Sequence, residues 1–398
     1  MMDFSLTEEQ KELQKWSHEF SEKEIRPVAA EYDESEEFPW PVVRKAAEIG
    51  LYGFDIYLQH QQDPTGLTLP LITEELTWGC AGIALAILGT GLPLSALAAV
   101  GTQEQLLTWA PRLFGTPDKP EVGAFAVTEP QAGSDVSSLS SRAVRDGDEW
   151  VLNGRKVFIT NGGIADVHIV VATVDPDLGH RGQASFIVTR DTRGFSQGKK
   201  ERKLGIRASH TAELILEDVR IPVDQVLGGI DRLDQKIATA RSGERTGRSA
   251  ALRTFELTRP LVAAQAVGIA RAALEFATHY AKERIQFGQP IIAHQAVAHK
   301  LADMAVEVDA ARLLTHRASW MGASGTPYVN AEGSMSKLKA SEVAVSVTEQ
   351  AIQVLGGYGY IKDFPVEKFY RDAKIYTLFE GTSEMQRMVI ARALAANA

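Results

Sequence analysis

The stretch AVRDGDEWVLNGRKVFIT, residues 143–160, decides the fold. Two β-prone runs flank Asp146-Gly147, a dipeptide suited to the tight turn of a hairpin. Further short, β-branched segments follow: VHIVVATV at 167–174, ASFIVTR at 184–190 and AELILEDVRIP at 212–222. Polar turns separate them. This spacing predicts a small antiparallel β-barrel or sandwich.

Both flanks change period. TEEQKELQKWSHEFSEKEIRPVAAEYD, 7–33, repeats apolar positions at helical spacing, with Thr7 as a cap before Glu8, Glu9 and Gln10. LPLITEELTWGCAGIALAILGTGLPLSALAAVG, 69–101, is apolar all round and reads as buried helix. Beyond the β block, three Ala-rich stretches at 259–287, 295–321 and 331–357 are each long enough for a bundle helix. A shorter helix covers 366–379, and a last one follows Ser383, where Ser-Glu-Met-Gln fits a capping box. The expected class is α+β. An N-terminal helical domain spans 1–120, a middle antiparallel β-barrel domain 121–227, a connector 228–254 and a C-terminal four-helix-bundle domain 255–398.

The 398 residues are 44% hydrophobic and 23% charged, with a formal net charge of -9. That balance suits a globular core and argues against a general nucleic-acid role, which wants a basic footprint. The single cysteine, Cys80, excludes an internal disulfide and a cysteine metal cluster. The polar, acidic N-terminus lacks a signal-peptide pattern, and no apolar run is read as membrane-spanning. The expectation is a cytoplasmic protein without a metal site. There is no G-x-G-x-x-G after a strand, no Walker loop, no H-E-x-x-H and no G-x-S-x-G. His294 and His299 read as surface residues on different faces of a helix.

Four stretches carry candidate chemistry. In AFAVTEPQAGSDVSSL, 124–139, Gly133 and Ser134 would let backbone N–H groups approach an anion, or simply form a polar loop. In VFITNGG, 157–163, Phe158 and Thr160 fall on one side of a strand, where a ring and a hydroxyl could flank a flat ligand. In KERIQFGQPIIAHQ, 282–295, Arg284 ends a helix beside an aromatic and a Gly-x-Pro turn, which also fits a plain C-terminus. In YTLFEGTSEMQR, 376–387, Glu380 follows an apolar pair where the backbone turns into a helix. An acid there can cap the dipole, but Glu384 already does so.

Singly these are weak. Together, VTEPQAGSD, ITNGG, KERIQFGQPI, QVLGGYGY and FEGTSEMQR, in this order across an α–β–α chain, resemble the acyl-CoA dehydrogenase family over nearly its whole length. The resemblance implies FAD bound without a Rossmann turn. It implies that Phe125, Val127 and Thr128 lie along the flavin, with Gly133 and Ser134 nearby, and that Phe158 and Thr160 cover the ring. Family members commonly carry Tyr and Trp at Phe125 and Phe158; Phe keeps the stacking surface and loses a polar handle. Arg284, Gln286, Phe287, Gln295, Gln353, Gly356 and Gly357 match the set that holds the adenine and pyrophosphate end from a neighbouring subunit. This implies a homotetramer, a dimer of dimers. Thr382 and Glu384 match flavin contacts from the same chain.

Ser134 and Gly381 match positions that bind the acyl-CoA substrate, and Glu256 and Arg259 match positions that bind the pantetheine and nucleotide part of the thioester. The connector 228–254 is longer than the family pattern and carries Arg241, Arg245, Arg248 and Arg253. It reads as a solvated insertion, or as contacts to coenzyme A phosphates or a lid. Glu380 matches the base that removes the α-proton; the alternative base position is Thr258, which cannot serve. The thioester oxygen would meet the backbone N–H of Glu380 and a flavin hydroxyl, and an electron-transfer flavoprotein would take the electrons. An acyl-CoA oxidase, a flavin monooxygenase relative and a non-catalytic flavoprotein are the alternatives. Gly89 and Gly91 could leave room for the acyl chain.

Overall fold

The computed structural model describes residues 5–243 and 250–397, with side chains over 5–243 and 258–396. The first block is helical: α1 (Glu8–Phe20), α2 (Ala29–Ser35), α3 (Trp40–Glu48), α4 (Phe54–Gln62), α5 (Thr68–Gly79), α6 (Ala81–Leu88), α7 (Gly91–Val100) and α8 (Gln103–Phe114). Thr7 caps α1 as expected. Its hydroxyl accepts from the Gln10 N–H at 3.2 Å, and the Gln10 side chain accepts from the Thr7 N–H at 3.0 Å. Thr102 and Gln105 repeat the same box on α8. The apolar run 69–101 divides into α5, α6 and α7. The expectation that no segment is long enough to span a membrane needs correction. Ala81–Val100 and Thr258–Glu283 both pass by length and composition, yet they are 56% and 67% buried inside the fold and serve as core helices.

The middle block is one sheet of β1 (Gly123–Ala126), β2 (Arg142–Asp146), β3 (Glu149–Thr160), β4 (Val167–Thr173), β5 (Gln183–Thr189), β6 (Phe195–Lys200) and β7 (Thr211–Pro222). The strand order is β1-β4-β2-β3-β7-β6, with β5 on β4. This is a half-barrel. Pairings β2–β3, β3–β7, β4–β5 and β6–β7 are antiparallel, whereas β4 runs parallel to β1 and β2. The β2–β3 hairpin leaves room for a long crossover from β1 to β4, which parallel pairing requires. In the opening hairpin Asp146 pairs with Glu149, so the loop is Gly147-Asp148, one residue later than the dipeptide suggested. Gly147 has φ +63° at the first central position, where a type II′ turn wants glycine.

The third block holds α9 (Ile230–Arg241), α10 (Ala250–Glu283), β8 (Ile285–Gln286), β9 (Gln289–Pro290), α11 (Gln295–Ala323), α12 (Glu332–Leu355), α13 (Val366–Ala373) and α14 (Ser383–Asn397). Helix α12 is central and packs on α10, α11, α13 and α14. On α10, Ala263, Ala266, Ala270, Ala273 and Ala277 are fully buried at alternating three- and four-residue steps; on α12, Ala340, Ala344 and Ala351 are fully buried at steps of four and seven. This seam of small residues lets the two backbones approach closely while each helix keeps residues of high propensity. A Cβ at Gly268 would overlap the Glu74 carbonyl, so α5 also presses on α10.

The connector is not a loose insertion where it is described. Helix α9 buries Leu233 and Ala240, and Arg241 forks onto Asp175 Oδ2 at 3.0 and 2.8 Å. That guanidinium is already paired, which speaks against a phosphate role. Arg245 and Arg248 lie outside the described residues, as do the side chains of Arg253 and Glu256.

One buried ion pair stitches the sheet. Lys156 on β3 is fully buried and donates to Glu129 Oε1 at 2.7 Å and to the Val127 carbonyl at 2.9 Å. Glu129 also accepts from the backbone N–H groups of Ser140 and Ser141. Burial works to raise the Glu129 carboxyl, but the Lys156 ammonium and these hydrogen bonds outweigh it and hold it at about 2. Burial lowers Lys156 to about 8 against the pull of Glu129. Glu129→Gln should therefore cost about 3–5 kcal/mol at neutral pH, because it leaves a buried ammonium uncompensated. Glu129 contributes fully above the ordinary carboxylate value of 4.5 and loses its contribution as pH falls through about 2. Urea unfolding of both proteins checks this: the gap should narrow in acid, and an equal stability at neutral pH would refute it.

Candidate active site

Glu380 sits in a turn that few side chains tolerate. Its φ is +51° and that of Gly381 is +93°. Left-handed backbone at a non-glycine residue costs about 1–3 kcal/mol, so the surroundings must hold it. The start of α14 does part of this. Thr382 caps the helix, its hydroxyl accepting from the Met385 N–H at 3.3 Å, and its carbonyl accepts from the Gln386 N–H at 2.9 Å. The cap is thus one residue earlier than the expected Ser383, whose side chain is buried instead. The exposed Glu384 carboxyl is held below its ordinary range by its own backbone N–H and by the Thr382 hydroxyl. Gln386, fully buried, donates Nε2 to the Gly381 carbonyl at 2.9 Å and to the Glu380 carbonyl at 3.3 Å. A Cβ on Gly381 would stand 2.6 Å from that nitrogen.

The carboxylate reaches α10. The Thr258 hydroxyl donates to Glu380 Oε2 at 2.6 Å. Thr258 cannot act as a base; its hydroxyl fixes the direction of the Glu380 carboxylate. Burial raises the Glu380 carboxyl above its ordinary value; the Thr258 hydrogen bond and then the Lys337 and Arg259 charges oppose this without cancelling it. Lys337, fully buried on α12, donates to the Gly381 carbonyl at 2.7 Å. Nothing in its local sequence marked it, because a lysine at a helical position ordinarily reads as solvated. Arg259 is buried beside this cluster rather than open to solvent.

A second group lies on the sheet. Phe125 and Val127 are buried at the end of β1, and Thr128 is half-buried, its carbonyl accepting from the Val157 N–H at 2.9 Å. The simple strand alternation expected of Phe158 and Thr160 is not found. A bulge lies between Lys156 and Ile159, and Phe158 has φ +59° with its ring 66% exposed. A bulky residue in that region marks an imposed constraint. Thr160 stays on the strand, half-buried. Gly133 and Ser134 are exposed just past a tight turn in which Glu129 and Ala132 exchange backbone bonds at 3.0 Å. The room expected at Gly91 is absent: a Cβ there would clash with the Tyr57 ring, so this glycine is a packing contact. Gly89 faces the Leu85 carbonyl and the Thr160 methyl.

A third group surrounds the β8–β9 hairpin, which turns through Phe287 (φ +53°) and Gly288 (φ +80°), as a type I′ turn requires. A cavity of about 630 Å³ between this hairpin and the end of α12 is lined by Arg284, Gln286, Phe287, His294, Gly356 and Gly357, among others. The Arg284 guanidinium lies 5.5 Å from the Tyr358 ring centroid. Gln295 and Gln353 are exposed nearby but do not line the cavity. His294 was missed as a site residue. It precedes α11 instead of sharing a helix with His299, and its ring meets Phe287 at 5.8 Å. The Gly-x-Pro turn just before it was the available signal.

Comparison with known proteins matches all three blocks. Residues 7–115, 124–219 and 245–395 fit the N-terminal, middle and C-terminal domains of acyl-CoA dehydrogenase. The chain belongs to the acyl-CoA dehydrogenase family. It is 40% identical to the short-chain specific acyl-CoA dehydrogenase of Clostridium acetobutylicum, covering 98% of each. The butyryl-CoA dehydrogenase structure from Megasphaera elsdenii superposes with a TM-score of 0.88 at 37% identity, over 99% of this chain and 100% of that one. A glutaryl-CoA dehydrogenase from Mycobacterium smegmatis, in complex with FADH2, gives 0.85 at 29% identity, over 98% and 95%.

Membership of this acyl-CoA dehydrogenase family implies FAD, and the residues present suit it. The exposed Phe158 ring offers a flat apolar surface. At Gly356 and Gly357 a Cβ would meet nothing within 4 Å, so the backbone there is open to a ligand. Arg284 beside the same cavity has the planar fork that matches pyrophosphate.

The raised Glu380 carboxyl has a measurable consequence. Stability linked to it is complete below the ordinary carboxylate range and is lost as pH rises through its raised value. Glu380→Gln keeps an acceptor for Thr258 and cannot ionise. It should melt above wild type at about pH 8 and close to it at about pH 4. A variant less stable than wild type at the higher pH would contradict the burial argument.

Proposed function

We propose that this acyl-CoA dehydrogenase removes the α-proton and β-hydride of a short-chain acyl-CoA thioester to give the trans-2-enoyl-CoA. One observation carries the reading: a carboxylate in a left-handed turn, its ionisation opposed by burial, with its outer oxygen fixed by Thr258 at 2.6 Å. A base with a raised pKa is matched to taking a weakly acidic proton near neutral pH. The relatives from Clostridium acetobutylicum and Megasphaera elsdenii, described as short-chain specific and butyryl-CoA enzymes, support a short acyl chain.

In this reading Glu380 takes the α-proton. Thr258 keeps the carboxylate from swinging out of line, which matters because misplacement by about 1 Å can cost a hundredfold. The Glu380 backbone N–H offers a donor to the thioester oxygen as negative charge develops there. Arg259 adds positive charge on the same side. Phe125, Val127, Thr128, Phe158 and Thr160, with Thr382 and Glu384, would hold FAD, which would supply the hydride acceptor. The adenine end would rest on Arg284, Gln286, Phe287, Gly356 and Gly357 of a neighbouring copy in a homotetramer. The 94% exposure of Phe287, an apolar ring at a hairpin tip, supports such a neighbour. An electron-transfer flavoprotein is the proposed acceptor.

The test is anaerobic bleaching of the flavin by a series of acyl-CoAs. Short chains should bleach it faster than long ones. Glu380→Gln should stay yellow and bind thioester, with bleaching slowed by roughly 10²–10⁴-fold. Near-normal bleaching by that variant would remove Glu380 from the role. Oxygen consumed in step with substrate would favour an oxidase over electron transfer to a protein.

A further inference from the structure

Three lysines are buried among the described residues: Lys156, Lys337 and Lys368. Two of them have a carboxylate in contact. Lys156 meets Glu129 at 2.7 Å and Lys368 meets Asp372 at 2.6 Å. Lys337 instead gives its hydrogen bond to a carbonyl, that of Gly381, at 2.7 Å. A buried ammonium on a carbonyl is an expensive arrangement, because a single dipole does not replace the lost hydration. A methionine would fill the same slot without that cost. The carbonyl chosen belongs to the residue after Glu380, in the left-handed part of the turn. Gln386 donates to the same oxygen at 2.9 Å. Two donors from two helices, α12 and α14, therefore converge on one peptide group.

We propose that Lys337 is a positioning residue for proton abstraction: with Gln386 it clamps the Gly381 carbonyl and thereby holds the turn that aims the Glu380 carboxylate. This rests on Glu380 being the base. The clamp acts through the peptide plane. The Gly381 carbonyl is fixed by Lys337 and Gln386, and the Glu380 carbonyl by Gln386, so both peptides flanking Gly381 lose rotational freedom. The carboxylate then needs only the Thr258 bond to define its direction. Lys337 also acts at a distance. The charged groups that bear on this site are Glu380 itself, Arg259 from α10, Lys337 from α12 and Glu384 from α14. Burial lowers Lys337 to about 8, Arg259 pushes the same way, and Glu380 and Glu384 resist. In return the ammonium favours the ionised form of Glu380. Removing it should move the carboxyl of Glu380 upward.

Lys337→Met and Glu380→Gln holoenzymes are compared with wild type. Lys337→Met should keep its FAD and its thioester affinity, while anaerobic flavin reduction slows roughly a hundredfold. The pH at which the reduction rate rises should shift upward. A readout independent of turnover is the infrared band of the Glu380 carboxyl, isolated by subtracting Glu380→Gln; it should titrate at higher pH in Lys337→Met than in wild type. A folded, yellow Lys337→Met with wild-type rate and titration overturns the clamp, while an inactive Glu380→Gln in the same series leaves the base assignment standing. A Glu380→Gln that still bleaches removes the base assignment and the clamp with it. Slower reduction with an unmoved titration and loss of FAD would mark general loosening and also overturn it. If Lys337→Met does not fold, Gln386→Met decides. It deletes the uncharged half of the clamp, so the rate should fall with the titration unmoved, and an unchanged rate overturns the proposal.

Discussion

The close approach of α10 to α12 is the constraint on which the site depends. The buried alanines of both helices set that distance, and the functional side chains enter at its N-terminal end. Thr258 and Arg259 stand just before Ala263 on α10, and Lys337 just before Ala340 on α12. All three bear on the Glu380–Gly381 turn. Interiors are packed like crystals, so a larger residue in the seam would not be absorbed locally. It would part the helices and draw the donors away from the turn. The alanines that look least informative in the sequence therefore set the geometry of the carboxylate.

A second constraint joins the middle block to the Glu380 turn. The Ile206 N–H donates to Asp372 Oδ1 at 2.5 Å, and Gly205 lacks a Cβ where one would overlap the Arg371 carbonyl. Arg371 in turn reaches Asp33 at 2.7 Å and the Leu204 carbonyl at 3.1 Å. Burial works against the charge of Lys368, and the Asp372 carboxylate overcomes it, so the ammonium is held above its ordinary value. Helix α13, which carries Lys368, Arg371 and Asp372, continues through a 3-10 turn, Lys374–Thr377, to the Glu380 turn. All three blocks are thus pinned to the same helix. Strands that would face a flavin and the carboxylate that would face a substrate share one frame of reference.

Much of this was legible in the sequence, for physical reasons that differ by level. The α–β–α order follows from hydrophobic period, and period is a local property. The Thr7 cap was readable because one hydroxyl and one amide suffice to make it. The turn Gly147-Asp148 and the cap Thr382 were each displaced by one residue, since either neighbour could supply the chemistry and only backbone geometry chooses. The parallel pairings of β4 were not legible, because sheet order is decided by contacts distant in sequence. Nor was the bulge at Phe158, which breaks a pattern that alternation would otherwise extend. Lys337 was the largest omission in the site. Its importance comes from which helix lies opposite, and a single sequence does not carry that information.

Among the described residues, eight that are not glycine adopt positive φ. Glu36, Asn161, Ile206, Asp218 and Ala331 carry no role from the resemblance, whereas Phe158, Phe287 and Glu380 each do. Strain of this kind persists only where the surroundings over-determine it. Two residues before Phe158, Lys156 is buried on Glu129 and tied to the Val127 carbonyl. Beneath Glu380 lie Lys337 and Gln386, tied to the carbonyls of the turn. Phe287 is the exception. It stands 94% exposed at the tip of a two-stranded hairpin, with the His294 ring at 5.8 Å and the glycine of a type I′ turn as its support. Two-stranded hairpins are marginal on their own in water. The support found beneath the Glu380 turn has no counterpart at this tip among the described residues. An apolar ring held in a left-handed turn and turned toward solvent is the ground on which a second copy is proposed to lie against it.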